Sequence, residues 1–215
     1  VVMGMLWACH FQDTCAAFGM QTCLMNMVAE PEMVHYVDDH IVDFYVKALK
    51  IFLEATKGKV QAILIGDDVG SQRGLMISPE LIKEFVIPGA KKLIDLAHSY
   101  GVKVVYHSCG SIVEAIPLLI EAGVDVVHPI QALAAGMDPA NLKSKFDGQI
   151  SFCGGVDTQD LLPNGTPEQV AAKVKELRTY FPTGLIVSPS HEGLQPDVPP
   201  SNIKALFDEA TKIYE

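Results

Sequence analysis

The sequence predicts an α/β fold around a parallel sheet, and three observations lead to this fold class. Short, nearly continuous apolar runs alternate with longer segments whose apolar residues recur at helical spacing, as in buried strands joined by helical crossovers. Each strand–helix pair occupies about 30–40 residues, the length of a βα unit. The chemically unusual polar residues follow the apolar runs, at the edge where parallel α/β folds hold their active sites.

The predicted strands are short, rich in β-branched residues and bounded by glycine, proline or polar residues. They are 60–68, 102–110, 124–129, 149–155 and 184–190. The opening segment VVMGML predicts one more strand, which gives about six βα units in all.

The predicted helices are 31–55, 78–100, 112–122, 166–180 and 199–214. The second starts with Ser-Pro-Glu and the fourth with Thr-Pro-Glu-Gln. A hydroxyl residue caps a helix, proline fits its first turn, and a carboxylate is favourable at its positive end. The third helix stops before Gly123, a suitable C-terminal cap.

Two architectures fit this order of elements: a doubly wound open sheet and a (β/α)8 barrel. The open sheet is disfavoured because no glycine-rich phosphate fingerprint follows an early strand,. Six units do not close a ring of eight. We therefore predict a single domain over 1–215 that is a (β/α)8 barrel lacking its first one or two βα units.

Composition excludes several partners. The net charge is −10 and no basic stripe occurs, which excludes nucleic acid and anionic membrane surfaces. No apolar run approaches the roughly 20 residues of a membrane span. The five cysteines are an odd number in a long chain, so we expect free thiols in a reducing cytoplasm. The start lacks both the basic residues of a signal peptide and an initiator Met,, so we expect an excerpt of a longer chain.

His107 and Cys109 form the most specific pair of candidate ligands. They end one predicted strand two residues apart, and alternate residues of a strand point to the same face. Imidazole and thiolate are the donors that zinc prefers, and Gly110 permits a tight turn beside them. The alternative is that both residues only pack in the core.

A third metal ligand has several candidates at the same edge: His191, Cys153, Glu192 and Asp68. Asp67 and Asp68 are adjacent, so at most one of them faces the barrel mouth while the strand continues. A carboxylate there could bind a cation, orient a substrate or act as a base. Capping of a helix or loop is the alternative.

Other polar residues have weaker assignments. His128, which precedes a proline at a strand end, is predicted to bind substrate or to form a local hydrogen bond. Asp157 and Gln159 follow another strand and are predicted to bind substrate. Two groups are given structural roles: Trp7, His10, Cys15 and Cys23 in the core or a subunit contact, and His35, Asp38 and Asp39 on the solvated face of their helix.

Three long stretches resemble the uroporphyrinogen decarboxylase superfamily. They begin GDDVGSQRGLMISPELIKEF, GVDVVHPIQALAAGMDPANL and LIVSPSHEGLQPDVPPSNIK, and the resemblance runs from about residue 20 to the C-terminus. It implies a distorted (β/α)8 barrel with its site at the carboxyl ends of the strands. The N-terminal residues that hold the tetrapyrrole in true decarboxylases have no counterpart here.

Two branches of this superfamily are compatible with the motifs. His-Ser-Cys-Gly at 107–110 is similar to the corrinoid-dependent methyltransferases, which implies zinc on His107 and Cys109, His191 as a weaker third ligand, and Asp68 orienting the substrate. Corrinoid or methylcobalamin would be the co-substrate, with a small methyl donor or acceptor and a corrinoid protein as partners.

The second branch is the cofactor-free decarboxylation of a tetrapyrrole, for which the resemblance implies that His191 and the Gly-Gly-Val-Asp-Thr-Gln strand end bind substrate carboxylates. A third hypothesis is that the chain is a non-catalytic fragment that requires a partner chain. Because an unclosed barrel leaves sheet edges bare, we also expect a homo-oligomer.

Overall fold

A computed structural model describes residues 1–213 and contains one curled sheet of six parallel strands. The strands are β1 (Met3–Met5), β2 (Ala62–Gly66), β3 (Lys103–His107), β4 (Val126–Ile130), β5 (Ser151–Val156) and β6 (Leu185–Pro189). They lie side by side in chain order, and every neighbouring pair is parallel. This order without a reversal is the progression of a (β/α)8 barrel and excludes a doubly wound sheet.

Ten helices accompany the sheet in the described part of the chain. They are α1 (His10–Phe18), α2 (Met20–Ala29), α3 (Pro31–Thr56), α4 (Pro79–Phe85), α5 (Ile87–Ser99), α6 (Ile116–Ala122), α7 (Pro139–Phe146), α8 (Leu161–Asn164), α9 (Pro167–Tyr180) and α10 (Pro200–Ala210). The apolar core fills the space between these helices and the outer face of the sheet.

All six predicted strands are present, within one to three residues of their predicted limits. Within residues 1–213 the sheet has two edges, β1 and β6. The absence of one or two further βα units from a complete barrel stays a prediction.

The helices agree less closely with the prediction. The segment 78–100 forms two helices, because Pro88 in the first turn of α5 cannot donate the hydrogen bond that would continue α4,. The segments 10–29 and 139–146 are helical although no helix was predicted there. The last predicted helix, 199–214, ends at Ala210, and Tyr214 lies outside the described residues.

In the residues that the structure describes, no helix combines the length and apolar character needed to cross a bilayer.

Candidate metal centre

Three potential metal ligands converge at the carboxyl edge of the sheet. One donor atom from each of Asp68, His107 and Cys109 lies within 4.8 Å of the other two. The Nε2 atom of His107 is 3.3 Å from Cys109 Sγ and 3.4 Å from Asp68 Oδ1. His107 and Cys109 therefore lie together, and Asp68 lies beside both of them.

The strand register explains this convergence. Gly66, the last residue of β2, lies opposite His107, the last residue of β3, so the loop after β2 passes beside the imidazole. The backbone N–H of Cys109 then donates to Asp68 Oδ1 at 2.7 Å. Gly66 makes the close approach possible, because a Cβ on this residue would lie 2.0 Å from the carbonyl oxygen of His107,.

Asp67 faces away from the cluster and anchors helix α1. Its carboxylate accepts hydrogen bonds from the backbone N–H groups of Phe11 at 3.2 Å and Gln12 at 3.0 Å. Burial raises the pKa of Asp67 to about 7, although His10 and these two N–H groups act in the opposite direction. Asp67 and Asp68 both follow the last strand residue, Gly66, and their carboxylates have different partners.

A buried polar network continues from Asp67 into the helix layer. His10 Nδ1 lies 2.8 Å from Asp38 Oδ1, and His10 Nε2 lies 3.5 Å from Asp67 Oδ2. Thr14 also donates to Asp38 at 3.0 Å. Burial would lower the pKa of His10, but the charge of Asp67 and the hydrogen bond with Asp38 outweigh it and raise that pKa.

The assignment of Asp38 to a solvated helix face was wrong. Its residue is 8% exposed because α1 packs over that part of α3. The neighbouring Asp39 is exposed as predicted and pairs with Lys92 at 3.1 Å.

His107 is enclosed on its other side by residues from three further segments. His107 Nδ1 lies 2.9 Å from His128 Nδ1 on β4 and 3.7 Å from Glu192 Oε2 after β6. The indole of Trp7 lies 5.0 Å from the imidazole, centroid to centroid. Gln12 contacts Asp68 through both ends of its amide, accepting from Asp68 N at 3.2 Å.

Burial and nearby charges determine which groups in and beside the cluster are protonated. Burial, followed by the charges of Asp68 and Glu192, raises the pKa of the Cys109 thiol to about 12. Burial and the charge of His107 lower the pKa of His128 to about 4. Burial would raise the pKa of Asp68, but the His107 side chain and the Cys109 N–H hold it below its ordinary value. The protein without metal therefore holds a neutral thiol beside a carboxylate.

The remaining predicted site residues lie outside the group of three. His191 Nδ1 accepts a hydrogen bond from Gly193 N at 3.0 Å, and its Nε2 lies 3.6 Å from Glu192. Cys153 is buried in β5. Asp157 accepts hydrogen bonds from three backbone N–H groups at the start of α8, and Gln159 is exposed beside it.

Sequence reasoning missed Trp7 and Gln12. Trp7 follows β1 and Gln12 lies in the first turn of α1, so both sit at the same carboxyl edge as the ligands. The available signal was the position of Trp7 directly after a predicted strand, because βα loops converge there,.

The donor set fits zinc. With tetrahedral geometry and ordinary bond lengths, a nitrogen and a sulfur ligand lie about 3.6 Å apart and a nitrogen and an oxygen ligand about 3.4 Å apart. The corresponding separations here are 3.3 and 3.4 Å. Three protein ligands also leave the fourth position for a substrate, as in catalytic zinc sites.

Comparison with known proteins places this geometry in context. A family model described as Uroporphyrinogen decarboxylase (URO-D) matches residues 13–213. A methylated-thiol–coenzyme M methyltransferase of Methanosarcina mazei is 29% identical over 150 residues, which are 68% of this chain and 36% of that protein. A methylcobamide:CoM methyltransferase of the same organism is 24% identical over 152 residues, which are 71% of this chain and 42% of that protein.

A solved structure supports the fold. A methyltransferase from Methanosarcina mazei superposes with a TM-score of 0.78 at 17% identity, covering 97% of this chain and 57% of that one. The chain spans less than half the length of these two curated relatives.

Proposed function

We propose, from the premise that this chain belongs to the uroporphyrinogen decarboxylase (URO-D) family, that it is the metal-binding part of a zinc-assisted methyltransferase. The reaction would move a methyl group between a corrinoid and a small thiol. The observation that carries this proposal is the convergence of Asp68, His107 and Cys109 within 4.8 Å. The similarity to two coenzyme M methyltransferases supports the same reaction class.

Each ligand has a defined task in this proposal. Cys109 and Asp68 provide negative charge, and His107 provides a neutral nitrogen, so the three together neutralise a divalent cation. A bound zinc ion would supply Lewis acidity that lowers the pKa of a thiol and so presents the substrate as a thiolate at neutral pH.

The surrounding residues control access to the ligands. Trp7 is 41% exposed, and its ring lies 5.0 Å from that of His107 at a tilt of 58°, so it supplies an apolar wall where a flat co-substrate would approach. Gln12 donates to Oδ2 of Asp68, whereas His107 faces Oδ1 of the same carboxylate. The mouth that these side chains line is where we place the methyl donor, the acceptor and a corrinoid protein.

The test measures zinc directly. We expect purified wild-type protein to bind about one zinc per chain, and Cys109→Ser to lose most of it because serine is a poor ligand for zinc. Cys153→Ser is the control, because Cys153 is also a free cysteine but lies outside the cluster. Both would be measured by elemental analysis and by competition with a chromophoric chelator.

The pH dependence of zinc binding provides a second test of the proposal. Because the Cys109 thiol has a pKa near 12, zinc must displace its proton at neutral pH. The apparent association constant should therefore rise about tenfold per pH unit, and its slope should fall in Cys109→Ser. Wild-type protein without measurable zinc affinity would overturn the proposal, and turnover of a tetrapyrrole acid by that metal-free protein would establish the decarboxylase alternative.

A further inference from the structure

The two ring nitrogens of His107 face different neighbours. Nε2 lies toward Cys109 Sγ at 3.3 Å and Asp68 Oδ1 at 3.4 Å. Nδ1 lies toward His128 Nδ1 at 2.9 Å and Glu192 Oε2 at 3.7 Å. One nitrogen therefore belongs to the ligand cluster, and the other belongs to a separate contact on the opposite side of the ring.

The bonding of a neutral imidazole determines which ring nitrogen of His107 carries the hydrogen. A neutral imidazole carries one N–H and one lone pair, and a metal ligand must offer the lone pair. If Nε2 is the ligand, Nδ1 carries the hydrogen and needs an acceptor. Only His128 Nδ1 lies within hydrogen-bond distance of it among the contacts of the described chain, because 3.7 Å to Glu192 is too long,.

We infer that His128 is a positioning residue that accepts the hydrogen of His107 Nδ1 and so keeps the Nε2 lone pair directed at Asp68 and Cys109. This inference rests on the metal site proposed above. It gives His128 a role in addition to the substrate binding predicted from sequence. Acceptors of this kind fix the tautomer of a ligand histidine and raise the basicity of its other nitrogen.

The backbone fixes the geometry of this contact. His107 and His128 are registered opposite each other on neighbouring parallel strands, and both are buried, at 1% and 4% exposure. The N–H of Ser108 also donates to the carbonyl of His128 at 2.8 Å. The two imidazoles are therefore held together by the strand ladder rather than by mobile side chains.

Glu192 has a weaker role in the same arrangement. Its side chain is 42% exposed, and its nearer oxygen faces Nδ1 rather than the ligand nitrogen. A carboxylate there favours an N–H at Nδ1 electrostatically. Glu192, a candidate third ligand by sequence, does not belong to the group of three donors.

The assignment also places the hydrogen of His128 on its Nε2 atom. This nitrogen makes no hydrogen bond within residues 1–213. The two rings are therefore expected to be opposite tautomers, with the hydrogen at Nδ1 in His107 and at Nε2 in His128. That pattern is visible by NMR and does not depend on activity.

The first experiment compares zinc affinity in two variants. His128→Leu removes the acceptor, and we expect zinc to bind about 10–100-fold more weakly. His128→Asn keeps an acceptor near the position of Nδ1, and we expect it to recover most of the loss. If His128 only packs in the interior, leucine should be tolerated better than asparagine, and that reversed order would overturn the inference.

The second experiment reads the tautomers in zinc-loaded wild-type protein by long-range ¹H–¹⁵N correlation of labelled histidines. A hydrogen on Nδ1 of His128 would overturn the inference. The outcomes also separate the two proposals: wild-type protein that fails to bind zinc removes the metal site itself, whereas tight binding that His128→Leu leaves unchanged removes only the role of His128.

Discussion

The ends of strands β2 and β5 use the same residue type in opposite ways. At the end of β5, the carboxylate of Asp157 accepts hydrogen bonds from the N–H groups of Gln159, Asp160 and Leu161 at 2.7–3.2 Å. At the end of β2, Asp68 accepts one backbone N–H and the side-chain N–H of Gln12, and it also faces an imidazole and a thiol. A strand-end aspartate is therefore available for chemistry only where the following backbone does not occupy its oxygens.

In its hydrogen-bond partners, Asp67 resembles Asp157 more than it resembles the adjacent Asp68. It accepts two N–H groups from the first turn of α1 and contacts a buried histidine. In the loop after β2, Asp67 thus anchors a helix, while Asp68 lies in the ligand cluster. Substitutions at these three aspartates test whether the two roles are separable.

The largest effect is expected for Asp67→Ala. It leaves His10 without one of its two carboxylates and α1 without its N-terminal acceptor, and breaking a buried pair of this kind costs about 3–5 kcal/mol. Urea denaturation of the metal-free protein measures the loss. Asp39→Ala is the control, since the exposed pair with Lys92 should change stability by less than about 1 kcal/mol,; equal losses in the two variants would contradict the anchoring role.

An intermediate effect is expected for Asp68→Asn. The amide keeps an acceptor for Cys109 N–H but removes the negative charge, so zinc affinity should fall about 100-fold, or about 2.7 kcal/mol. Chelator competition measures the affinity. The midpoint of metal-free unfolding should stay close to that of wild type, and a variant that loses stability but binds zinc normally would reverse the roles given to Asp67 and Asp68.

The smallest effect is expected for Asp157→Ala. Loss of a carboxylate that caps a helix start costs about 0.5–2 kcal/mol of stability, and the zinc affinity should not change because Asp157 lies outside the cluster. Urea denaturation measures the stability of this variant, and chelator competition measures its zinc affinity. Weaker zinc binding with unchanged stability would return Asp157 to the candidate site.

Much of the fold could be predicted because the strands are short, apolar and ended by glycine or polar residues. The helices around α1 and α2 could not, since no side-chain cap marks the start of either one, and the apolar segment there has no clear period. Asp38 was misassigned because its burial depends on α1 packing across α3, a contact that the helical period of α3 alone does not contain.

The candidate site was predictable in part for a comparable reason. His107 and Cys109 share one segment, so strand alternation was enough to pair them. Asp68 comes from another strand, and its choice over His191 depends on the register of β2 against β3 and on the path of the loop after Gly66. His128 likewise required knowing that β3 and β4 pair His107 with His128.

Because position 66 accepts only glycine, it provides a criterion for selecting related sequences. Any larger residue would collide with the backbone of His107, so a chain that carries His-x-Cys but not this glycine cannot assemble the same three donors. Gly-Asp-Asp followed by His-x-Cys and then His-Pro, in this order, is therefore a compact signature with which to collect proteins for side-by-side metal assays.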